Sequence, residues 1–356
     1  MSAVARRLRP TSEKHLVELL TGVVMLGFLA VFPLFSLDYW VSFVLTQAFL
    51  IGIAAASLIF LTAYGGMVSL AQTALYGIAA FALGNMVTTG SVKGLHLGLD
   101  PWLSVVLAIA ITTAIGLVFG AVASRSTGIY FLMITLTYAV IAFTFFGQVT
   151  QVSGFSGIAG IQDHTPALVG NPVTQPNRLY YIALVTALIV YLAIRHVVRS
   201  PFGISLQGVR DDPVRMSSLG YNVALHRTLA FAFAAFIASL AGVLYGWWNG
   251  VIAPDNVGLG ATVDLLIVAV IGGLGRVEGA WLGAFAFVVI NNYVRDVSVP
   301  VLGGSFNTVI GLIFLAIVIV SPGGLMGLWD RLWDVAGSRG SSGRRPAAVS
   351  TATPKA

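Results

Sequence analysis

Residues 64–81 read YGGMVSLAQTALYGIAAF, and the fold turns on how this stretch divides. One apolar run ends at the pair Gly65–Gly66, a second follows, and Gly77 lies inside it. A similar arrangement returns at 271–287, IGGLGRVEGAWLGAFAF, around Gly272, Gly273 and Gly275. Glycine interruptions at matching places in two apolar halves indicate an internal repeat, with non-helical backbone lining a central path. The alternative is that the glycines serve close helix packing.

The composition sets the surroundings of these stretches. The chain has 356 residues, 57% hydrophobic and 9% charged, with a mean hydropathy of +0.92. Soluble domains carry about 45–50% apolar and about 25% charged residues, so this chain lacks the polar surface to fold in water. Its apolar runs outlast the roughly 9–11 residues of a barrel strand and do not alternate. The fold class is therefore all-α: a polytopic helical membrane protein. Zero cysteines exclude disulfides, thiolate metal sites and cysteine nucleophiles.

Ten spans are expected, at 16–35, 39–64, 66–89, 101–123, 128–148, 178–198, 228–250, 261–275, 280–295 and 305–320. The run at 16–35 follows Arg6 and Arg7 but is too long for a signal sequence, and reads as a retained first helix. Residues 1–15 form an N-terminal arm, 16–335 the transmembrane domain, and the Gly/Ser/Arg-rich 336–356 a disordered tail. With the N-terminus inside, sixteen of the nineteen Lys and Arg fall on the cytoplasmic side; only Lys93, Arg178 and Arg295 fall outside. Positive charge gathers on the cytoplasmic face of membrane proteins, which places both termini inside. The same bias accounts for the net charge of +6 without nucleic acid.

A polar knot interrupts this chain within the loop at 200–227: QGVRDDPVRMSSLGYNV, residues 207–223. Asp212 and Pro213 form a helix start, because aspartate caps exposed amides and proline suits the first helical position. Gly220 is a left-handed stop, followed by Tyr221 and Asn222. A short capped helix of about two turns is predicted; the bland alternative is a solvated basic loop.

Five segments, in order, resemble the LivM-type permeases of branched-chain amino acid ABC importers. They are GMVSLAQTALYGIAAF (66–81), TGIYFLMITLTYA (127–139), VRDDPVRMSSLGYNV (209–223), VDLLIVAVIGGLGRVEGAWLGA (263–284) and SPGGLMGL (321–328). Met67 and Gln72 depart from the usual Gln and His, and Pro213 from an acidic residue. The resemblance implies that 209–223 is a coupling helix seated on a cytosolic ATPase subunit. Arg210, Asp211, Asp212, Pro213, Arg215, Leu219, Gly220 and Tyr221 would form that contact through charge-assisted hydrogen bonds and apolar packing. It further implies a second, LivH-like permease subunit, two ATP-binding cassette subunits that use ATP and Mg, and an extracytoplasmic binding protein. The location it implies is a bacterial inner membrane, and the cargo a branched-chain amino acid, with urea, short amides or other amino acids as alternatives.

Consistent with borrowed energy, no P-loop motif is present and the three lysines, Lys14, Lys93 and Lys355, lie outside any such setting. The five histidines are isolated, so no cofactor or metal is expected on this chain, nor an enzyme activity. Candidate path residues are the polar groups after the first glycine pair, Ser69, Gln72, Thr73, Tyr76 and Asn85, with Tyr130, Thr135 and Thr137 in the fifth span. Each has an alternative role in helix–helix hydrogen bonds. Asp264 is an intramembrane carboxylate that either lines the route or caps a short helix. Arg276 and Glu278 read as an ion pair at the inner mouth. An ion-coupled secondary transporter would need more titratable groups at mid-membrane than Asp264 alone.

Overall fold

The computed structural model describes residues 40–89, 94–172 and 174–302, together with positions within 27–34, 311–315 and 323–327. The expected arm at 1–15 and tail at 336–356 lie outside the described residues, as do most of the first and tenth spans. A π-helical turn, Trp40–Leu45, leads into α1, Thr46–Gly65. Then follow α2, Gln72–Val87, α3, Pro101–Ala123, α4, Ile129–Gln148, and α5, Pro176–Arg199. Two short helices, α6, Pro201–Asp211, and α7, Pro213–Ser218, precede α8, Val223–Asn249. The last are α9, Leu259–Gly272, and α10, Gly279–Leu302.

Among the described residues five helices are long and apolar enough to cross a bilayer: 43–65, α3, α4, α5 and α8. Their ends carry ordinary punctuation. Asp100 caps α3 by accepting from the amides of Trp102 (2.9 Å) and Leu103 (3.3 Å), with Pro101 in the first position. The chain beyond α8 is tied by a two-residue antiparallel ladder, β1, Ile158–Ala159, against β2, Val251–Ile252, with Ile158 opposite Ile252. That ladder is the one departure from the all-α expectation among the described residues; it is too short to leave a sequence pattern.

Two layers follow from burial. α1, α2 and α8 form the centre, and nearly every side chain of α2 is buried. Small residues permit the approach: a methyl group added at Gly242 of α8 would lie 2.0 Å from the Tyr76 carbonyl oxygen of α2. α3, α4 and α5 lie outside and present Val106, Val118, Ile141, Val185 and Ile189 outward. Such faces suit lipid, since a helix in hydrocarbon satisfies its own backbone and needs no polar coat.

The span expected at 66–89 is helical only in its later part. Residues 66–71 are not helical, and α2 starts only at Gln72. At 16 residues, α2 is about 24 Å long, short of the roughly 30 Å hydrocarbon core. Gly66 ends α1 in the left-handed region (φ 65°), and the amide of Met67 returns to the Leu61 carbonyl at 3.0 Å. A second break, 273–278, separates α9 from α10 and also opens on a positive-φ glycine, Gly273 (φ 110°). An L-side chain at such angles costs roughly 1–2 kcal/mol. Gly272 abuts Gly279 so closely that a methyl group would lie 1.9 Å from the Gly279 oxygen, and one at Gly273 would lie 2.6 Å from Gly323. Gly275 has a different standing: among the described residues nothing lies within 4 Å of an added methyl group.

Candidate coupling and translocation sites

The polar knot folds as its capping residues dictate. Asp212 Oδ1 accepts from the Arg215 amide at 2.9 Å, Pro213 occupies the first position of α7, and Gly220 takes φ 89°. The Tyr221 amide returns to the Met216 carbonyl at 3.1 Å. Asn222 then caps α8, accepting from the Leu225 amide at 3.0 Å. Val214, Leu219 and Tyr221 are exposed large side chains, and Asp211, Asp212 and Arg215 are exposed beside them. The result is a rigid apolar knob with charges on its flank.

Two anchors hold the knob to the bundle. The first is Arg210, whose Nη1 donates to the Ala63 carbonyl at the end of α1. Its aliphatic stem lies over Gly66, where an added methyl group would sit 2.6 Å from Arg210 Cγ. Asp211 fixes the guanidinium, its Oδ1 accepting from Nε at 2.8 Å with Nη2 at 2.7 Å. Thus Arg210 faces the first glycine break, while Asp211 remains largely exposed. The second anchor is an aromatic stack: the His226 ring lies parallel to Phe202 at 5.7 Å and meets Tyr221 edge-on at 5.6 Å.

Sequence reasoning missed α6, Phe202 and His226. The available signal was Ser200–Pro201, a cap followed by a first-position proline: Ser200 Oγ accepts from the Gly203 amide at 3.3 Å.

The expected path residues divide into three groups. Ser69, Gln72 and Thr135 converge on the first break and are fully buried. Ser57 Oγ donates to Gln72 Oε1 at 3.0 Å, Gln72 Nε2 to Ser69 Oγ at 3.5 Å, and the Leu70 amide to Thr135 Oγ1 at 3.1 Å. Thr135 thus gives the Leu70 amide, and Ser69 Oγ the Ala71 amide at 3.3 Å, a partner where the break leaves no helical one. Thr73 and Tyr76 lie deeper: the Thr73 hydroxyl has no partner among the described residues, and Tyr76 meets Tyr245 at 5.1 Å. Asn85 belongs to the opposite end, where its Oδ1 accepts from the Leu95 amide at 2.9 Å.

Tyr130, Thr137 and Asp264 are not gathered with these; all three are exposed. Thr137 bonds its own helix through the Met133 carbonyl. Asp264 lies inside α9 and does not cap it; Gly258 holds that place. At the second break the Glu278 carboxylate accepts from the Tyr191 hydroxyl at 2.9 Å, which in turn accepts from Arg195 Nη1 at 2.8 Å. Tyr191 and Arg195 belong to the last part of α5, which leads into α6, and Arg210 of α6 reaches the end of α1, so both breaks and the knob share one end of the bundle.

A buried, glycine-broken helix inside a ring of apolar helices, with a polar knob tied to one end, defines a helical membrane permease. The chain belongs to the family described as "Branched-chain amino acid transport system / permease component", which it matches over residues 40–321. It is similar to the permease protein LivM of the high-affinity branched-chain amino acid transport system of Salmonella typhimurium, 26% identical over 59% of this chain and 55% of the relative. It is likewise similar to a probable branched-chain amino acid transport permease protein LivM of Methanocaldococcus jannaschii, 25% identical over 69% of this chain and 72% of the relative. A third relative is BraD of Pseudomonas aeruginosa, 30% identical over 41% of this chain and 46% of the relative. The match to the Salmonella protein spans about half of that relative's length. No solved structure matches the chain.

Proposed function

We propose that this chain is the membrane-spanning subunit of an ATP-driven importer of branched-chain amino acids. The observation that carries this reading is the capped α7 knob, clamped by Arg210 to a glycine-broken central helix in a chain of this family. The knob seats in a cytosolic ATP-binding subunit through Val214, Leu219 and Tyr221, with Asp211, Asp212 and Arg215 fixing register. A pair of such subunits binds ATP and Mg and closes around them. Their motion reaches the bundle through α6 and α7, because a short rigid helix transmits displacement. Arg210 carries it to the end of α1, and the break at 66–71 yields.

A second, LivH-like permease subunit completes the pore, and an extracytoplasmic binding protein delivers the amino acid. Relatives named LivH match this chain as well, which supports a pair of related subunits. Ten spans, both termini inside and an inner-membrane location fit the distribution of Lys and Arg. The break after α1 and the break after α9, each six residues long, support an internal repeat in the same sense.

The test is reconstitution of the purified assembly in proteoliposomes with labelled leucine, urea and a short amide as competing cargoes. Leucine uptake that requires internal ATP is expected. Uptake that persists without ATP under an ion gradient would instead establish a secondary transporter, and urea as the sole cargo would reassign the substrate.

A further inference from the structure

A cavity of about 370 Å³ lies where the first break meets the turn before α4. It is lined by Gly66, Met67, Ser126, Thr127, Phe131 and Arg227 among others, and its volume is within the roughly 300–1,000 Å³ of small-ligand sites. Arg227 Nε is shut off from solvent and has no hydrogen-bond partner among the described residues. No carboxylate among them pairs with this guanidinium, and Asp211 is held by Arg210. Arg227 as a whole is half-buried, but an enclosed Nε donor left without an acceptor is costly, and an anionic oxygen in the cavity would supply one. Arginine presents a planar fork suited to phosphate, and Ser126 and Thr127, which carry hydroxyl groups, line the same cavity. The rim on the α4 side is apolar: Ile129 and Leu132 line the cavity, and Ile129 is exposed with Tyr130 and Met133 along the outward face of α4, which continues through Ile141 and Phe145. A fully hydrated anion gains nothing from that rim, whereas an anion carrying acyl chains buries them along it.

We propose that the Arg227 cavity binds the phosphate of an anionic phospholipid whose chains lie along α4. Because Gly66 and Met67 form one wall, an occupied site props the first break. The proposal requires only that the chain spans a bilayer, and stands or falls separately from the import reading.

The test is native mass spectrometry of the full-length chain offered phosphatidylglycerol, phosphatidylcholine or inorganic phosphate. One phosphatidylglycerol should be retained in preference to phosphatidylcholine. Arg227→Gln should lower that retention about tenfold, the scale of a lost charge-assisted contact. Arg125→Gln, an exposed cation outside the lining, should leave it unchanged. Where Arg227→Gln lowers thermal stability, Ser126→Ala with Thr127→Ala is read in its place, with a loss of about threefold. Equal retention of the two lipids overturns the assignment, as does phosphatidylglycerol retention unchanged in Arg227→Gln. Inorganic phosphate binding as well as the lipid would make the site one for soluble phosphate. A variant that loses a companion subunit but no lipid would make Arg227 an inter-subunit ion-pair partner.

Discussion

Replacing Arg210 by alanine isolates the tie between knob and bundle. The variant loses the bond to Ala63 and the stem over Gly66, while Asp212, Pro213 and the α7 fold remain. A hydrogen bond from a charged donor contributes roughly 1.5–3 kcal/mol. The Arg210 side chain is 35% exposed, so water competes and about 1 kcal/mol is the reasonable figure. That is too little to unfold the chain, and membrane insertion and assembly should persist. If the same contact carries displacement into α1, losing about 1–1.4 kcal/mol of drive lowers uptake per ATP hydrolysed roughly five- to tenfold. The assay measures leucine uptake and phosphate release on one proteoliposome preparation, so that the ratio reports coupling rather than yield. Arg210→Lys should recover part of the ratio, since an ammonium can reach one carbonyl but cannot also hold Asp211 in a fork. An unchanged ratio in an intact Arg210→Ala assembly would refute the role of this contact.

Other perturbations follow from the same contacts. Gly242→Ala sets a methyl group 2.0 Å from a backbone oxygen, which no rotamer relieves; about 3 kcal/mol of destabilisation is expected and would appear as a lowered midpoint of thermal aggregation. Asp212→Ala removes the α7 cap at a cost of about 1 kcal/mol, and should speed amide exchange over 213–221 while leaving α5 and α8 unchanged. Gly66→Ala should cost about 1–2 kcal/mol at its positive φ, whereas Gly275→Ala should be near neutral, as no described residue lies within 4 Å; equal melting shifts for the two would contradict the account of the breaks.

The parts legible in the sequence were those fixed by local chemistry. Long apolar runs gave α3, α4 and α5 to within two residues at either end, because a helix in hydrocarbon must satisfy its own backbone. The α7 helix was legible because Asp212, Pro213 and Gly220 mark its ends by local capping chemistry. The break at 66–71 was only half legible. The glycine pair marked its start, but its length depends on Thr135 and Ser57, partners from other helices that no local pattern reveals. Arg210 stood out in the sequence as a charge of the polar knot, yet its inward direction is set by Ala63, 147 residues away in sequence. Amphipathic α6 resembled a polar loop because its buried side, Leu206 and Val209, is short.

The central claim is that the knob at 213–221 faces the cytoplasm, where an ATP-consuming partner can reach it. The chain contains no cysteine, so Val214→Cys, at a position 75% exposed on α7, provides a single thiol without further engineering. Membrane-impermeant maleimide should modify it in inverted membrane vesicles and leave it untouched in right-side-out ones. Modification in right-side-out vesicles with protection in inverted ones would contradict the account.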